Sequence, residues 1–232
     1  MNETAAPPIV DRSTWEDARA DLLVEEKALT RAQDRLNAAR RRLPMTRVDA
    51  TYTFSDPDGR RSFAELFDGR RQLIVYHNML TADDDHVCLG CSLFSDGLGN
   101  LAHLRARDTT FVMVSAARVS EIAAVRARMG WTFPWYSSYG TTFHHDFVTA
   151  RGAKFGLSVF LRQDAANYTD IFQTYFTTGR GVEYAGAFRA LLDLTPYGRG
   201  EDWEDSPAGW PQVPTHSWER LNFQYDHSVP AR

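Results

Sequence analysis

The sequence predicts an α/β protein with a central mixed sheet flanked by helices. Two apolar runs of strand length, 73–76 and 111–114, alternate along the chain with segments of helical periodicity. Strands that alternate with helices are typical of βαβ units, in which neighbouring strands run parallel. Two later strand-like segments, 157–162 and 171–177, are separated only by a turn, which predicts an antiparallel flank to the sheet.

Length and composition limit the possible classes of protein. The chain has 232 residues, of which 43% are hydrophobic, so it can bury one sizeable core. Its 26 basic and 30 acidic residues give a net charge of −4, which argues against nucleic acid as a partner. No apolar run approaches the roughly 18 residues of a membrane helix, and the N-terminal segment lacks the pattern of a secretory signal. We therefore expect a cytoplasmic protein with neither a nucleic-acid nor a membrane partner.

A long helical arm is predicted near the N-terminus. Residues 1–12 are expected to form a disordered leader, and the arm covers residues 13–44, beginning with a capping box between Ser13 and Glu16. Its apolar stripe repeats every seven residues, at Trp15, Leu22, Leu29, Leu36 and Leu43. A helix of this length extends about 45 Å, more than one compact domain covers, so we expect a homodimer that forms through the arm.

The body of the protein is expected to cover residues 45–197, beginning with a strand at 51–54 and a turn at 56–59. The elements expected after that turn are a helix at 62–67, a strand at 72–79, a helix at 93–107, a strand at 110–115, a helix at 119–129, strands at 133–137, 157–162 and 171–177, and a helix at 183–194. Residues 198–232 are rich in Trp, Pro and acidic residues, which indicates an extended C-terminal tail that lies on the body.

Only two cysteines occur, Cys88 and Cys91, in a Cys-x-x-Cys motif between a predicted strand and a predicted helix. A disulfide that closes so short a loop would stabilise the fold little, so the pair is expected to form a site. The motif in this context resembles the thioredoxin-like fold. Several segments also resemble a bacterial thioredoxin-like family whose members are mostly catalogued as domains of unknown function, namely 29–44, 73–80, 88–98, 107–117, 128–143, 156–162 and 192–199. The resemblance covers about residues 13–200 and implies a thioredoxin-like fold.

The first functional hypothesis is a thiol–disulfide oxidoreductase. At the N-terminus of a helix, free N–H groups and the helix dipole stabilise a thiolate, so Cys88 is the expected nucleophile. Cys91 would resolve the mixed disulfide, and His86 could add positive charge beside the thiolate. This chemistry needs no cofactor and would act on a small-molecule or protein disulfide.

The second hypothesis is a copper site, with zinc or iron as less suitable metals. Two thiolates and the imidazole of His86 lie close together in the sequence, a donor set that suits copper. His77 ends a predicted strand, and His144 and His145 follow another, so one sheet edge could bring further imidazoles to the thiols. Of the adjacent pair, at most one is expected to reach the metal. Such a protein would oxidise a small molecule, or store or deliver copper.

The third hypothesis is a non-catalytic module that dimerises through the helical arm and exposes its Trp-rich tail.

Acidic residues at 83–85 precede the Cys-x-x-Cys motif and would disfavour a thiolate by charge repulsion, which a bound cation would relieve. The sequence leaves the three hypotheses open. It also does not separate aromatic residues that line a pocket from those of the core.

Overall fold

The computed structural model describes residues 6–84, 86–165 and 168–225, and its centre is an eight-stranded mixed sheet. The strands are β1 (Thr46–Val48), β2 (Thr53–Asp56), β3 (Gly59–Ser62), β4 (Gln72–Thr81), β5 (Thr109–Ala116), β6 (Trp135–Ser137), β7 (Gly156–Ala165) and β8 (Tyr168–Thr177). The α-helices of the described residues are α1 (Arg12–Arg41), α2 (Leu89–Asp96), α3 (Ala102–Arg105), α4 (Val119–Met129), α5 (Phe143–Phe147), α6 (Arg180–Glu183) and α7 (Ala187–Leu192).

The strand order in the sheet is β1-β8-β7-β4-β5-β6-β2-β3. Strands β4, β5 and β6 run parallel because helical segments connect them, whereas β7 and β8 are antiparallel neighbours beside β4. Strands β4 and β5 lie in the middle of the sheet, and burial on both faces explains their nearly continuous apolar sequences. The predicted α/β class, with a mixed sheet and an antiparallel flank, is confirmed.

The sheet separates two apolar cores, and this separation decides which side chains can meet. Tyr76 and Met113 face the core that α2 and α4 cover. Val75 and Val114 face the other core, which α5 covers. Because neighbouring residues of a strand point to opposite faces, Tyr76 and His77 of β4 lie on opposite sides of the sheet.

Glycines divide two helices that the sequence predicts as continuous. One helix is predicted over 93–107, but α2 covers only Leu89–Asp96, with Gly97 as its C-cap residue, and the short α3 follows as a separate helix. The predicted helix at 183–194 is two helices, α6 and α7, which Gly186 separates. Glycine loses more backbone entropy in a helix than any other residue, so helices are interrupted easily at these points. By contrast, α4 has the bounds that its apolar periodicity predicts.

The long N-terminal helix is present, but its start is capped differently from the prediction. The side chain of Asp11 accepts a hydrogen bond from the backbone N–H of Thr14 at 2.8 Å, so Asp11 is the N-cap residue. The Ser13 hydroxyl donates to the same carboxylate at 2.9 Å, and Glu16 pairs with the side chain of residue 12 instead of closing a capping box. A carboxylate at this position also complements the helix dipole. Residues 6–11 are exposed and non-helical, and the rest of the predicted leader lies outside the described residues.

The chain from residue 198 to 225 folds back against α2. Leu221 joins the core on that face of the sheet, and the side-chain amide of Asn222 donates to Asp96, at the end of α2, at 2.9 Å. These contacts fix the tail against the helix that carries the cysteines. Residues 226–232 of the predicted tail lie outside the described part of the chain. No described helix combines the length and the apolar character that crossing a membrane requires.

Candidate active site at the Cys-x-x-Cys turn

The Cys-x-x-Cys motif forms the first turn of α2. Strand β4 ends at Thr81, a loop follows, and Cys88 is the N-cap residue of the helix. The backbone N–H of Cys91 donates to the Cys88 sulfur at 3.3 Å, so this sulfur takes the place of the oxygen in an ordinary helix cap. The backbone N–H of Ser92 donates to the carbonyl of Cys88 at 3.0 Å, which closes the turn. Both thiols are free, with Cys88 partly exposed and Cys91 buried.

The two thiols differ strongly in acidity. The pKa of Cys88 is lowered to about 6, chiefly because the Cys91 thiol donates to its sulfur. Burial opposes this shift, but the N–H groups of Cys91 and Gly90 and the charge of His86 add to it. The same contact between the sulfurs, together with burial, raises the pKa of Cys91 well above its ordinary value. At neutral pH Cys88 is therefore mainly a thiolate, and Cys91 keeps its proton.

Tyr76 of β4 contacts Cys91, the buried cysteine of the pair. Its ring stacks on Phe94 of α2, with centroids 4.3 Å apart. Burial and contact with Cys91 raise the pKa of Tyr76 well above its ordinary value, so its hydroxyl remains protonated. That hydroxyl donates to the Cys91 sulfur and favours its thiolate, which partly offsets the effect of burial on Cys91. Strand alternation in β4 is the only sequence signal that could have placed Tyr76 there.

We expect the alkylation of Cys88 by iodoacetamide to follow a titration with a midpoint near pH 6. The thiolate is the reactive form, so the rate should fall about tenfold per pH unit below the midpoint and level off above it. Peptide mass spectrometry over a pH series measures the rate at Cys88 separately from that at Cys91. The Cys91→Ala variant, which lacks the thiol donor, should shift the midpoint to higher pH. A native rate that rises without a plateau to pH 9 would contradict the assigned acidity.

A cavity of about 400 Å³ opens beside the dithiol. Its lining is mainly apolar and includes the rings of Tyr76, Phe94 and Phe155, and both Cys88 and Cys91 reach it. Cavities of this size, with apolar walls and a few polar groups, are typical of sites for small molecules. The dithiol is therefore reached through a defined pocket.

Another part of the cavity wall carries polar residues to which the sequence assigns no role. Arg189 of α7 forms a buried ion pair with Glu219 of the tail, whose side chain is 3% exposed. His216 contacts the same carboxylate oxygen, Oε1, at 3.1 Å. The tail is predicted to lie on the body because of its composition. Nothing in the sequence pattern places its residues beside the thiols, because that contact joins segments more than a hundred residues apart.

Gly90, between the two cysteines, lets this ion pair approach the motif. A Cβ atom added at Gly90 would lie 3.5 Å from Oε2 of Glu219 and 3.8 Å from Nη2 of Arg189. Those are ordinary contact distances, so any side chain longer than that of alanine would press against the pair. The absence of a side chain at Gly90 thus brings a buried carboxylate next to the reactive turn.

Three possible metal donors also lie in this region. Atoms of Glu201, His216 and Glu219 lie within 4.8 Å of one another, and no other such group occurs in the described residues. Glu201 accepts hydrogen bonds from two tryptophan N–H groups at 2.7 and 2.9 Å, and Glu219 is paired with Arg189. Burial works to raise the pKa of Glu201, but its hydrogen bonds outweigh burial and hold that pKa below the ordinary value. Protein donors therefore already satisfy both oxygens of Glu201, and Arg189 balances the charge of Glu219 through Oε1.

The acidic run before the motif is partly neutralised. Asp83 forms an ion pair with Arg118 at 2.7 Å, and this contact holds the pKa of Asp83 below its ordinary value. Asp84 accepts a hydrogen bond from the backbone N–H of His86 at 2.9 Å. Asp85 lies outside the described residues. The ion pair with Arg118 therefore weakens the repulsion that the sequence predicts between the Asp83 carboxylate and the Cys88 thiolate.

The structure separates the predicted histidine ligands. His86 is exposed and acts on Cys88 through its charge. His77 and His144 lie on the opposite side of the sheet from the thiols, with ring centroids 6.4 Å apart, and His145 is exposed. The expectation that His77 and His144 reach the dithiol is therefore corrected, because the side-chain alternation of β4 directs His77 away from it. No group of three possible metal donors in the described chain includes either cysteine.

His77 makes the stability of the fold sensitive to acid. It is fully buried, and burial, with the charges of His144 and Arg151, lowers its pKa to about 3. The unfolded chain, with a pKa near 6.5, takes up a proton at this residue between pH 6.5 and 3, whereas the native state does not. We expect His77 to reduce the free energy of unfolding by about 1.4 kcal/mol per pH unit as pH falls through this range, with no effect above it.

Urea titrations at pH 7, 6 and 5 measure this loss of stability. The His77→Asn variant has no group that titrates at this position, so its free energy of unfolding should depend less on pH. Equal pH dependence in the two proteins would contradict a neutral, buried His77.

Together, the fold and the site define an α/β protein with a Cys-x-x-Cys dithiol at a helix start, beside a small cavity. The chain belongs to the family described as "Bacterial protein of unknown function (DUF899)", whose model matches residues 4–225.

Comparison with curated proteins finds no match. Similar solved structures include a hypothetical protein from Sinorhizobium meliloti 1021, which is 14% identical, with 51% of this chain and 68% of that chain covered and a TM-score of 0.35. They also include a putative electron transfer protein from Aquifex aeolicus VF5, which is 12% identical, with 68% and 96% covered and a TM-score of 0.34. Similarity at this level supports no conclusion about function.

Proposed function

We propose that the protein is a thioredoxin-like thiol–disulfide oxidoreductase that reduces small disulfides through Cys88 and Cys91. The observation that carries this proposal is the environment of the Cys88 sulfur. That sulfur is partly exposed and accepts hydrogen bonds from the start of its own helix and from the Cys91 thiol. The buried parallel strand β4, followed by a helix that begins at the thiol, supports a thioredoxin-like arrangement. The defined cavity favours small disulfides over protein disulfides.

The reaction has two exchange steps. In the first, the Cys88 thiolate attacks one sulfur of the substrate disulfide, a mixed disulfide forms at Cys88, and the other half of the substrate leaves as a thiolate that takes a proton from solvent. In the second, Cys91 attacks the Cys88 sulfur and transfers its proton to the departing second thiol. The hydroxyl of Tyr76 stabilises the charge that develops on Cys91. The substrate is reduced to two thiols, the protein is oxidised to a Cys88–Cys91 disulfide, and an external dithiol restores it.

The test is catalysis of the reduction of bis(2-hydroxyethyl) disulfide by dithiothreitol. Chromatography of the product 2-mercaptoethanol should show a rate well above that of the uncatalysed exchange. The oxidised protein should carry an intramolecular disulfide, visible as the loss of two hydrogen atoms by mass spectrometry. Protein alkylated at Cys88 is the control and should give only the uncatalysed rate. Absence of turnover by the intact, reduced protein would refute the proposal.

The copper hypothesis has weaker support than the dithiol hypothesis. Among the described residues, the sulfurs and His86 do not form a group of three donors within 4.8 Å, so a metal site would require movement of His86. A dithiol enzyme with free thiols suits a cytoplasmic location, where thiols are kept reduced.

A further inference from the structure

We propose that the dithiol cavity selects small disulfides that carry a protonated amine, and that Glu219 recognises the amine. This inference rests on the proposed function and specifies the substrate class of the same site. Glu219 is a buried residue that lines the cavity, and one of its two carboxylate oxygens accepts no hydrogen bond from the described residues.

The two oxygens of Glu219 have different surroundings. Oε1 contacts both Arg189 and His216. Oε2 has no hydrogen-bond partner among the described residues, although the side chain is only 3% exposed and reaches the cavity. Glu219 lines the cavity, so a ligand there that supplies an N–H group can donate to this oxygen in a charge-assisted hydrogen bond. Oε2 of Glu219 is thus a hydrogen-bond acceptor that can bind a ligand in the cavity.

The charges around the cavity favour a cation over an anion. Cys88 as a thiolate and Glu219 as a carboxylate bring two negative charges, and the buried cation in contact with Glu219 is Arg189 alone. Among the other charged groups, Glu183 of the lining pairs with Arg199 at 2.8 Å and lies 3.8 Å from Arg180 of the lining, and Asp193 balances Arg199 at 2.8 Å, so these four groups add no net charge. An ammonium group would therefore complete the charge balance of the occupied site.

The position of Glu219 fits an amine a few bonds from the reacting sulfur. Oε2 lies 3.5 Å from the position of a Cβ atom at Gly90, which is two residues from Cys88 in the same helical turn. A disulfide whose sulfur contacts Cys88 can therefore place an ammonium group at Glu219 through a short aliphatic chain. Short aminoalkyl disulfides have this arrangement of groups.

Three disulfides of similar size but different charge test whether the cavity selects its substrate by charge. Cystamine is cationic, bis(2-hydroxyethyl) disulfide is neutral and 3,3′-dithiodipropionate is anionic. Each kcat/KM is divided by the rate constant of that disulfide with free dithiothreitol, which removes intrinsic reactivity. We expect the corrected value for cystamine to exceed that for the neutral disulfide by about tenfold, and the anionic disulfide to react least. Equal corrected values, or a preference for the anionic disulfide, would overturn the inference.

Variants then assign the preference to a residue. Glu219→Gln should lower the ratio of cystamine to neutral disulfide to near one, whereas the matched control Glu25→Gln, on exposed α1, should keep the native ratio. If Glu219→Gln does not fold, the double variant Arg189→Leu, Glu219→Leu removes both partners of the buried pair and should also lose the preference. An unchanged ratio in a folded Glu219 variant would overturn the assignment. Inactivity toward all three disulfides would refute the proposed function itself, whereas activity without preference would refute this inference alone.

A second and independent inference concerns α1, which we infer to pair antiparallel with α1 of a second copy of this chain. No residue of this 30-residue helix is buried. The apolar residues of its heptad stripe are each about half exposed or more, at 51% for Trp15, 55% for Leu22, 69% for Leu29 and 48% for Leu36. A stripe of this kind needs a partner to remove it from water.

The charges of α1 identify the partner and its direction. Residues 12–26 carry five acidic and two basic side chains, whereas residues 27–41 carry five basic and one acidic side chain. A parallel pair would place like charges together, and an antiparallel pair places each acidic half on a basic half. A second copy of the same helix therefore supplies both the apolar stripe and the complementary charges.

Sedimentation of the full chain measures the association. We expect a dimer in the wild type, a monomer for Leu22→Glu with Leu29→Glu, and a dimer for the control Val24→Glu, which is exposed but lies off the stripe. For direction, Trp15→Cys and Leu36→Cys are placed in separate chains that lack Cys88 and Cys91. A short bismaleimide should join Trp15→Cys to Leu36→Cys in a mixture but should not join two Trp15→Cys chains. A monomeric wild type, or linkage of Trp15→Cys to itself, would overturn the inference.

Discussion

Replacement of Cys88 by serine is expected to lower kcat/KM for disulfide reduction by at least about 1,000-fold. Serine keeps the shape of the helix cap, but its hydroxyl does not ionise at neutral pH, so no nucleophile remains at the cavity. Steady-state rates with bis(2-hydroxyethyl) disulfide measure the loss, and circular dichroism with unchanged thermal unfolding serves as the control for folding. A Cys88→Ser protein with more than a tenth of native activity would contradict the assignment of the nucleophile.

Removal of Arg189 alone is expected to destabilise the fold by about 3–5 kcal/mol. The Arg189→Ala variant leaves the Glu219 carboxylate buried without its cation, and the cost of an unpaired buried charge exceeds the value of the pair itself. Urea unfolding at pH 7 measures the change. Arg118→Ala is the matched control, because it breaks an exposed ion pair with Asp83 and should change stability little.

The double variant Arg189→Leu, Glu219→Leu separates the charge effect from the packing effect. It removes both charges and should recover most of the stability that Arg189→Ala loses, since apolar residues of similar size often replace a buried ion pair without loss. If the double variant is less stable than Arg189→Ala, the pair matters for packing and not for charge compensation.

Local patterns in the sequence are sufficient to predict six of the eight strands, but not the short edge strands β1 and β3. The apolar runs of β4 and β5 and the periodicity of α4 identify their elements directly, and the motif correctly places Cys88 at a strand-to-helix junction. The predicted bounds are less accurate where a few glycines interrupt helical periodicity, as in the segment that becomes α2 and α3. The helix cap also differs from the prediction, because Asp11 accepts the N–H of Thr14 and the hydroxyl of Ser13 donates to Asp11 instead of capping the helix.

The cavity wall could not be predicted in the same way. Glu219 and Arg189 meet through the packing of the tail on α2, and no period or spacing in the sequence encodes that contact. The predicted metal ligands do not come together for a related reason. The prediction placed His77 beside the thiols because β4 ends at the same sheet edge, whereas strand alternation directs its side chain to the opposite core. The sequence does not tell which face of the sheet α2 covers, so the separation of His77 from Cys91 needed the structure.

The central claim is that Cys88 attacks a small disulfide within the cavity, and trapping tests it most directly. The Cys91→Ser variant retains the nucleophile but lacks the resolving thiol, so incubation with cystamine at neutral pH followed by peptide mass spectrometry should find one cysteamine adduct, on Cys88. A Cys91→Ser protein that gains no adduct at neutral pH, while the same peptide is modified after unfolding, would show that the folded site does not activate Cys88.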